Sequence, residues 1–378
     1  MKGLTGSLFQ ESPLPLMGVV LPGSNAAEIF FSTIQHLDKY SFLVYIPSVN
    51  QNVVQKFKKL NIRYTTDIQF FILNAYLVDA VLTFGCLPHP AHKSVLLLIS
   101  LFRELRIPTF DLQHGLFQWG INFVDDSLEQ GYEGVCGISL PLKTMADHQL
   151  TWSGNNAVGY PRYTAAPAPA PAGNHILIAT NTNWHIYSNE DRVRLMRIFD
   201  QLFTSLDTVE FIWKPHPAEF SPTNDIVLEL INAIHKGNRY PNVSIYNHNA
   251  PQAKTLTELI SECRAGITTV GTSVIDFEML GKPCAIFNCS SVSSLLSSLE
   301  KKFAFHSFQD ILSWFNDIDN AEMLPVTGQL QPFSADNFNN IVSVAMKPAK
   351  MQQKKPDVSI AVSIKYLVTA KTLGLMTV

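Results

Sequence analysis

The sequence lacks the features that mark nucleic-acid-binding, disulfide-rich and zinc-binding proteins. Its 378 residues carry 28 Lys and Arg against 31 Asp and Glu, a net charge of −3, without a Lys/Arg-rich run. Because proteins bind nucleic acid mainly by neutralising phosphates with cations, this balance argues against a nucleic-acid partner. The five cysteines are scattered and show no Cys-x-x-Cys spacing. That pattern favours reduced thiols in a cytoplasmic protein over a disulfide framework or a zinc site.

Long apolar runs are also missing. The longest largely apolar stretch, residues 95–102, is far shorter than the ~20 residues that a membrane-spanning helix needs. The first 22 residues contain Glu11 and three prolines, so they form no apolar segment for export, and we expect a cytoplasmic protein. The turn after the first predicted strand lacks Gly-x-Gly-x-x-Gly, which leaves a dinucleotide site in the first half unsupported.

What the sequence does contain is a regular alternation of strand and helix patterns. In the first half, strands are predicted at residues 16–21, 42–46, 62–64, 80–84 and 108–112, with helices between them. A second series begins near residue 175 and continues to residue 288. Since parallel strands need a helical crossover, each series predicts a parallel, doubly wound α/β sheet.

A proline-rich segment separates the two series. Residues 164–173 contain Ala-Pro-Ala-Pro-Ala-Pro-Ala, which is typical of a semi-rigid, extended spacer. We therefore predict a first domain of residues 1–163, a linker of 164–173 and a second domain of 174–345. Residues 346–378 are expected to form a basic segment, interrupted by Pro348, and a terminal helix.

Two polar segments follow predicted strands of the second domain. In Phe-Ile-Trp-Lys-Pro-His-Pro-Ala-Glu, residues 211–219, Lys214 and His216 come at the carboxyl end of a strand, where ligands bind in open α/β sheets. The two prolines stiffen the turn, so binding a phosphate there would cost little entropy. The alternative is a histidine that the prolines hold for structural reasons.

The second segment lies where another helix is predicted to begin. Gly271, Thr272 and Ser273 would bring hydroxyl and N–H groups, with the helix dipole, to one anion. Asp276 follows one turn later, and its carboxylate could accept bonds from ribose hydroxyls. The alternative is a helix cap followed by a surface acid. Two anion sites in one domain indicate a nucleoside mono- or diphosphate ligand.

The first domain has one comparable loop, residues 111–120, after the last predicted strand of its series. It contains Asp111 and His114, and Gly115 permits a positive φ beside His114, so the imidazole can project from the turn. A histidine that caps a helix or bonds a loop carbonyl is the alternative.

Four segments occur in a fixed order along the chain: Gln113-His114-Gly115, Gly159-Tyr-Pro-Arg162, Lys214-Pro-His216-Pro217 and Gly271-Thr-Ser-x-x-Asp276-Phe-x-x-Leu-Gly-Lys-Pro283. Together they resemble bacterial surface-polysaccharide transferases of the GT-B fold. These include capsule and lipopolysaccharide Kdo and sialic-acid transferases, which use CMP-sugars, and teichoic-acid polymerases, which use CDP-glycerol or CDP-ribitol. The resemblance implies two Rossmann-like domains facing across a cleft, with the donor in the second and the acceptor in the first. It also implies that the terminal helix returns to the first domain.

The resemblance also implies roles for individual residues. His216 would contact the donor phosphate together with Thr272 or Ser273, and Asp276 would face the nucleotide. His114 resembles the base in the polymerases' Trp-His-Gly loop, whereas the sialyltransferases use an acid for which Asp111 is the nearest candidate. An unperturbed pKa near 6.5 suits a base at cytoplasmic pH better than one near 3.9, which favours His114, with Asp111 as its competitor or as the group that orients its ring.

We therefore predict a glycosyltransferase that moves a sugar, a CMP-activated ulosonic acid such as Kdo or sialic acid, to a hydroxyl of a glycan or lipid-linked glycan in capsule or lipopolysaccharide synthesis. Neither a metal nor a cofactor is expected, because His216 and the helix beginning near Thr272 would offset the charge of the leaving group. The alternatives are a CDP-polyol phosphotransferase, a UDP-sugar 2-epimerase and a catalytically silent scaffold. Peripheral contact with the inner membrane face through the C-terminal lysines is a further alternative.

Overall fold

The computed structural model of the protein describes residues 14–84, 92–113, 145–152, 157–162, 173–182, 187–222, 224–237, 239–247, 253–269, 271–288, 304–320, 332–351 and 356–376. These residues form two compact units. The first takes its described residues from the ranges Met1–His114, Pro141–Tyr163 and Gln331–Val378, and the second from Thr164–Leu330. The predicted linker, residues 164–173, lies outside the described residues except for Gly173.

Strands and helices alternate through most of the described chain. The strands are β1 (Leu16–Val20), β2 (Ser41–Tyr45), β3 (Arg63–Thr65), β4 (Ala80–Thr83), β5 (Thr109–Leu112), β6 (His148–Leu150), β7 (Ile176–Ala179), β8 (Phe211–Lys214), β9 (Val243–Ile245), β10 (Ala265–Thr269), β11 (Cys284–Phe287) and β12 (Ala304–Phe305). The helices are α1 (Ser24–Ile34), α2 (Gln51–Lys59), α3 (Ile68–Leu73), α4 (Lys93–Glu104), α5 (Asn189–Ser205), α6 (Asp225–His235), α7 (Leu256–Glu262), α8 (Ser273–Met279), α9 (Phe308–Asn316), α10 (Ala335–Met351) and α11 (Pro356–Thr372).

The sheet of the first unit has the order β3-β2-β1-β4-β5-β6, and its pairings are parallel. Side chains alternate across it, so that Leu82 faces one apolar layer and Val81 the other. Helices α1, α2 and α10 contribute to the first layer, and α3, α4 and α11 to the second. Because both faces are covered, the central strands are almost wholly apolar.

Helix α10 belongs to the first unit, whereas we expected residues up to 345 to lie in the second domain. Its buried side chains are Phe338, Val342 and Met346, spaced four residues apart, and they pack into the first layer. This stripe needs an apolar surface, which the first sheet supplies. The helix also continues through Pro348 to Met351, where we expected a basic segment that the proline interrupts.

Helices α3 and α11 both pack into the second layer of the first unit. The apolar pattern predicts one helix over residues 68–78, but α3 ends at Leu73. The Asn74 side chain donates to the Phe70 carbonyl at 2.7 Å, and a short 3-10 helix, Ala75–Leu77, follows. The terminal helix α11 packs against α3 and α4, with Tyr366 and Ala370 buried in the second layer.

The second unit repeats the architecture of the first. Its sheet has the order β12-β11-β10-β7-β8-β9, again with parallel pairings. Counted along the chain, the strands of each unit lie in the order third, second, first, fourth, fifth, sixth, which is the Rossmann order. The prediction of two parallel, doubly wound sheets is confirmed.

Aromatic side chains join β8 to α5 in the second unit. Phe211 and Trp213 lie on one face of β8 because they are two residues apart, and Phe199 and Phe203 lie on one face of α5 because they are four apart. The Phe203 and Phe211 ring centres are 5.3 Å apart, and those of Phe199 and Trp213 are 5.4 Å apart. This packing fixes the strand whose end carries Lys214.

Three helices of the second unit begin with a capping box, in which a hydroxyl and a carboxylate three residues apart bond each other's backbone N–H groups. The pairs are Ser188 with Asp191, Thr255 with Glu258, and Ser307 with Asp310. None of the helices in the described part of the chain is long and apolar enough to cross a membrane.

Candidate functional site

The strand order of the second sheet reverses between β7 and β10, which pair directly. Chain connections leave in opposite directions at such a point, and a crevice opens outside the carboxyl ends of the two strands. The loops after β7 and β10 border this position, and the turn after β8 lies beside them. The candidate site is therefore made of three segments: residues 180–182, residues 214–220, and residues 268–269 with 271–276.

A buried carboxylate joins the first two segments. Glu219 is 0% exposed, and its Oε1 accepts from the N–H and hydroxyl of Thr182 at 2.9 and 2.5 Å. Its Oε2 accepts from the Thr180 hydroxyl and the His216 N–H, both at 2.7 Å. A carboxylate with this many short bonds is well satisfied despite its burial. It holds the loop after β7 against the turn after β8.

Further bonds fix the loop after β7 from both sides. The Trp213 indole donates to the Thr180 hydroxyl at 2.9 Å, which leaves that hydroxyl free to donate to Glu219. Arg192 on α5 donates through Nε and one terminal nitrogen to the Thr182 carbonyl at 3.1 and 3.0 Å. Such a network restricts the movement of the loop.

The predicted phosphate-binding residues lie directly beside this network. Lys214 ends β8 and His216 follows in the turn, and both are half-buried. The His216 backbone is held by Glu219, and a 3-10 helix, Pro217–Phe220, continues from it. The structure thus gives the turn two constraints, the prolines that we predicted and the carboxylate that we did not.

The loop after β10 is bonded to the loop after β7. The Asn181 N–H donates to the Thr269 hydroxyl at 2.8 Å. One residue earlier, the Thr268 hydroxyl lies 2.6 Å from the Ser273 hydroxyl. The predicted hydroxyl of Ser273 is therefore already engaged at the start of α8. These contacts bring all three segments of the candidate site together.

Helix α8 carries the remaining predicted residues. It begins at Ser273, as expected, but Thr272 makes no side-chain capping bond, and Gly271 does not have the positive φ that would require glycine. Asp276 is only 4% exposed, so its carboxylate lies within the fold. Contact between Asp276 and a ribose stays a prediction, as do the roles of Gly271 and Thr272.

The position of α8 depends on a glycine in the neighbouring strand. A Cβ on Gly266 would lie 2.1 Å from the Phe277 ring, which is fully buried, so the ring occupies the space that glycine leaves. At the other end of α8, Gly281 has φ +65°, and the Lys282 N–H donates to the Phe277 carbonyl at 3.0 Å.

The Gly-Lys-Pro end of the fourth motif has a structural role here. Lys282 is 5% exposed, and its Nζ donates to the Cys263 carbonyl at 2.7 Å. Burial raises the pKa of the neighbouring Cys263 thiol to about 12, so this cysteine is a neutral thiol at physiological pH. Lys282 therefore ties the turn before β11 to the end of α7.

The first two residues of the Gly159-Tyr-Pro-Arg162 motif have structural roles. Gly159 has φ +83°, where glycine is favoured. Tyr160 is buried against Trp152, with ring centres 4.6 Å apart. The segment bridges to Pro332 just before α10, and so it helps to hold that helix in the first unit.

In the first unit, only part of the predicted loop can be described. Asp111 is 4% exposed within β5, in register with Thr83 and Gln149 of the adjacent strands. Gln113 is buried, and its Oε1 accepts from the Trp152 N–H at 3.1 Å. His114 lies outside the described residues. The choice between His114 and Asp111 as base therefore stays a prediction.

Sequence reasoning missed the residues that hold the candidate site together. Glu219 ends the motif of residues 211–219, but it was given no role because its partners, Thr180 and Thr182, are 39 and 37 residues away. Asn181 and Thr269 were missed as well. The one available signal was the run Thr-Asn-Thr directly after an apolar strand, at the position where the first strand of a Rossmann series ends.

Solved structures of nucleotide-sugar enzymes match the chain. The S. aureus MnaA–UDP complex has 11% identity and a TM-score of 0.56, covering 91% of this chain and 99% of that one. UDP-GlcNAc 2-epimerase from Methanocaldococcus jannaschii, with UDP-GlcNAc and UDP, has 12% identity and a TM-score of 0.53, covering 87% and 99%. The Neisseria meningitidis UDP-GlcNAc 2-epimerase bound to UDP-GlcNAc has 13% identity and a TM-score of 0.52, covering 88% and 99%. No protein-family model and no curated protein sequence matches.

At these identities the likeness shows the fold. Each match extends over nearly the whole of both chains, so it includes both Rossmann-like units. The chain has the GT-B fold, as predicted. The predicted CMP-sugar and CDP-polyol chemistry has no counterpart in these three structures.

Proposed function

We propose that this protein is a glycosyltransferase that uses a nucleotide-activated sugar and binds the donor's phosphate at the carboxyl end of the second sheet. The observation that carries the proposal is the buried Glu219, which accepts from Thr180, Thr182 and His216 and so prepares the edge of the sheet beside the switch point. Burying a carboxylate costs desolvation free energy. A protein that bound no ligand at this edge of the sheet would gain nothing in function from that cost.

The charges of the turn after β8 suit a phosphate. Lys214 and His216 supply cationic or hydrogen-bonding groups, while Glu219 is fully buried and its oxygens are already bonded. When the acceptor hydroxyl attacks the anomeric carbon, the bond from that carbon to the phosphate oxygen breaks and negative charge grows on the leaving nucleotide. Donors held in place before the reaction stabilise that charge without reorganising.

The finer assignment concerns the donor. We propose a cytidine nucleotide, and a CMP-activated ulosonic acid as the sugar, on the strength of the four sequence motifs. A glycan or lipid-linked glycan would be the acceptor, and no metal or cofactor would be needed. A CDP-polyol donor is the closest variant, since it shares the nucleotide.

The acceptor hydroxyl must also lose a proton. We propose His114 as the base, with Asp111 as the group that orients it or replaces it. If His114 is the base, His114→Ala should lower kcat by about 100-fold or more and leave donor affinity unchanged. If Asp111→Asn abolishes turnover while His114→Ala retains most of it, the carboxylate is the base.

A second candidate function is 2-epimerisation of a UDP-sugar. It is favoured by the UDP-GlcNAc 2-epimerases that match nearly the whole chain with TM-scores of 0.53 and 0.52. The two functions differ in one respect that is simple to measure. An epimerase converts its nucleotide-sugar with no acceptor present, whereas a transferase releases free nucleotide and needs a hydroxyl acceptor.

The deciding experiment incubates the purified protein with CMP-Kdo, CMP-sialic acid and UDP-GlcNAc, each with and without a bacterial glycan extract as acceptor. Acceptor-dependent release of CMP supports the proposal, and His216→Ala should then reduce turnover by about 2–4 kcal/mol of transition-state stabilisation. Conversion of UDP-GlcNAc to its 2-epimer without acceptor would overturn it in favour of the second candidate. Absence of both reactions, with no nucleotide binding, would identify a scaffold.

A further inference from the structure

The side-chain amide of Asn181 lies in the loop after β7, among groups that are bonded to Glu219. Asn181 lies between Thr180 and Thr182, whose hydroxyls both donate to Glu219. Its backbone N–H donates to Thr269 at 2.8 Å. Its side-chain Oδ1 is shielded from water and has no hydrogen-bond partner within the described part of the chain.

Such an atom is costly to keep. A buried acceptor without a partner has given up its hydrogen bonds to water and gained none from the protein. The residues on either side are fully engaged, so the loop itself is well ordered by bonds. The missing bond of Asn181 is therefore an exception in a network that otherwise satisfies its buried groups. Exceptions of this kind concentrate at functional positions.

Asn181 lies where a ligand could reach its side-chain amide. It sits at the end of β7, beside β10, and so at the position where the strand order of the second sheet reverses. Asn181 as a whole is half-buried rather than fully buried. Rotation of the side-chain amide about χ2 is therefore enough to bring its oxygen toward a ligand, because this oxygen makes no hydrogen bond to the described residues.

The chemistry of the amide selects the group that it would contact. The lone pairs of Oδ1 repel phosphate, and the side chains that suit phosphate, Lys214 and His216, belong to the neighbouring turn. An amide both donates and accepts, as does a hydroxyl, and the two make reciprocal hydrogen bonds. We propose that Asn181 binds a hydroxyl of the ligand, on the ribose or on the transferred sugar. This inference rests on the proposed function and assigns one residue of that site.

The test uses Asn181→Ala, with Asn242→Ala as the matched control. Asn242 is also in the second unit and also has a buried Oδ1 without a partner in the described residues. Its Nδ2, however, donates to the carbonyls of Phe203, Leu206 and Val209, beside the amino end of β8. Asn242→Ala should therefore lower the melting temperature and leave ligand affinity unchanged.

Asn181→Ala should behave in the opposite way. The melting temperature without ligand should stay the same or rise, because an unsatisfied polar atom is removed. Affinity, measured by calorimetry, should fall by about 3- to 10-fold for the ligand that bears the contacted hydroxyl, which corresponds to the loss of one neutral hydrogen bond.

The ligand series separates the two sources of the hydroxyl. The probes are CMP, 2′-deoxy-CMP, UDP, 2′-deoxy-UDP and the sugar nucleotides CMP-sialic acid and UDP-GlcNAc. If Asn181 binds the ribose 2′-hydroxyl, the substitution weakens CMP or UDP but not the deoxy form. If it binds the sugar, only the sugar nucleotide is weakened.

Two failures can be told apart. Wild-type protein that binds none of these probes contradicts the proposed function itself. Wild-type protein that binds, together with an Asn181→Ala variant of equal affinity for every probe that wild type binds, overturns the role of Asn181 alone. A fall in the melting temperature of Asn181→Ala as large as that of Asn242→Ala would also overturn it, since the amide would then be a structural group.

Discussion

The two sheets share one strand order but carry their buried polar groups in different places. In the second unit, the turn after β8 contains Glu219, which bonds the loop after β7. In the first unit, the equivalent position after β2 holds Asn50, whose side chain accepts from the Val53 N–H at 2.9 Å and only caps α2. The shared topology provides a crevice in each unit. In the second unit a buried carboxylate also bonds two of the bordering loops together, whereas at the equivalent position of the first unit Asn50 caps one helix.

A second difference concerns the fifth strand of each unit. In the first, β5 carries the buried acid Asp111, whereas β11 reads Cys-Ala-Ile-Phe and is apolar throughout. The residues that follow the two strands behave alike, since the N–H groups of Gln113 and Asn288 both donate to the sixth strand, at 2.9 Å. The strand pairing is therefore the same in both units, although the side chains of the two strands differ. Strand pairing alone does not explain why β5 carries a buried carboxylate at Asp111.

The largest expected effect separates the two turns. Glu219→Ala leaves the donors of Thr180, Thr182 and His216 without their acceptor and should destabilise the second unit by about 3–5 kcal/mol. Asn50→Ala removes one helix cap from the first unit and should cost about 1 kcal/mol. Differential scanning calorimetry measures both. Equal losses in the two variants would show that Glu219 organises no more than an ordinary cap does.

The next comparison uses a glycine in a central strand of each unit. A Cβ on Gly266 would lie 2.1 Å from the buried Phe277 ring, while a Cβ on Gly18 would lie 3.0 Å from Val78. Gly266→Ala should therefore cost about 1–3 kcal/mol through overpacking, and Gly18→Ala clearly less. Because Phe277 is on α8, Gly266→Ala should also weaken nucleotide binding. Urea unfolding tests the order of the two losses, and a larger loss for Gly18→Ala would contradict it.

The smallest expected effect is a pH dependence specific to the second unit. Burial lowers the pKa of His175 below its ordinary value of 6.5, and the Nε2 atom has no partner among the described residues. Between the lowered pKa of the folded chain and pH ~6.5, the unfolded chain binds a proton at His175 that the folded chain does not. The contribution of His175 to the free energy of unfolding is therefore fully present above pH ~6.5 and falls as the pH drops toward the pKa of the folded chain. His175→Gln should remove part of that fall in melting temperature. An unchanged pH profile in the variant would contradict this assignment.

Much of the fold follows from local sequence patterns. Apolar runs of four to six residues identified most of the strands, and the alternation with helical periodicity predicted parallel sheets. The Ser-x-x-Asp and Thr-x-x-Glu spacings of the capping boxes are equally local. The predicted end of α3 was wrong. The side chain of Asn74 bonds the Phe70 carbonyl where the helix ends, and the spacing of apolar residues carries no information about such a bond.

The candidate site was predictable only in part. Lys214 and His216 could be proposed from the sequence because the prolines and the preceding strand are contiguous with them, and their role in binding stays a prediction. Glu219 was not, because its role depends on the parallel pairing of β7 with β8, which brings together residues almost forty positions apart. The place of α10 in the first unit has the same origin, since Phe338 and Val342 pack into an apolar layer that the first half of the chain supplies, and Phe338 contacts the Tyr40 ring.

Isothermal titration of wild-type, His216→Ala and His235→Ala protein with CMP, CDP and UDP tests the central claim most directly. His235 is an exposed histidine of the same unit, at the far end of α6, and serves as the control. We predict that wild-type and His235→Ala protein bind a cytidine nucleotide equally and that His216→Ala weakens binding by about 1.5–3 kcal/mol, or about 10- to 150-fold. Equal affinity in all three proteins, or no binding by the wild type, would contradict a phosphate site at the carboxyl end of the second sheet.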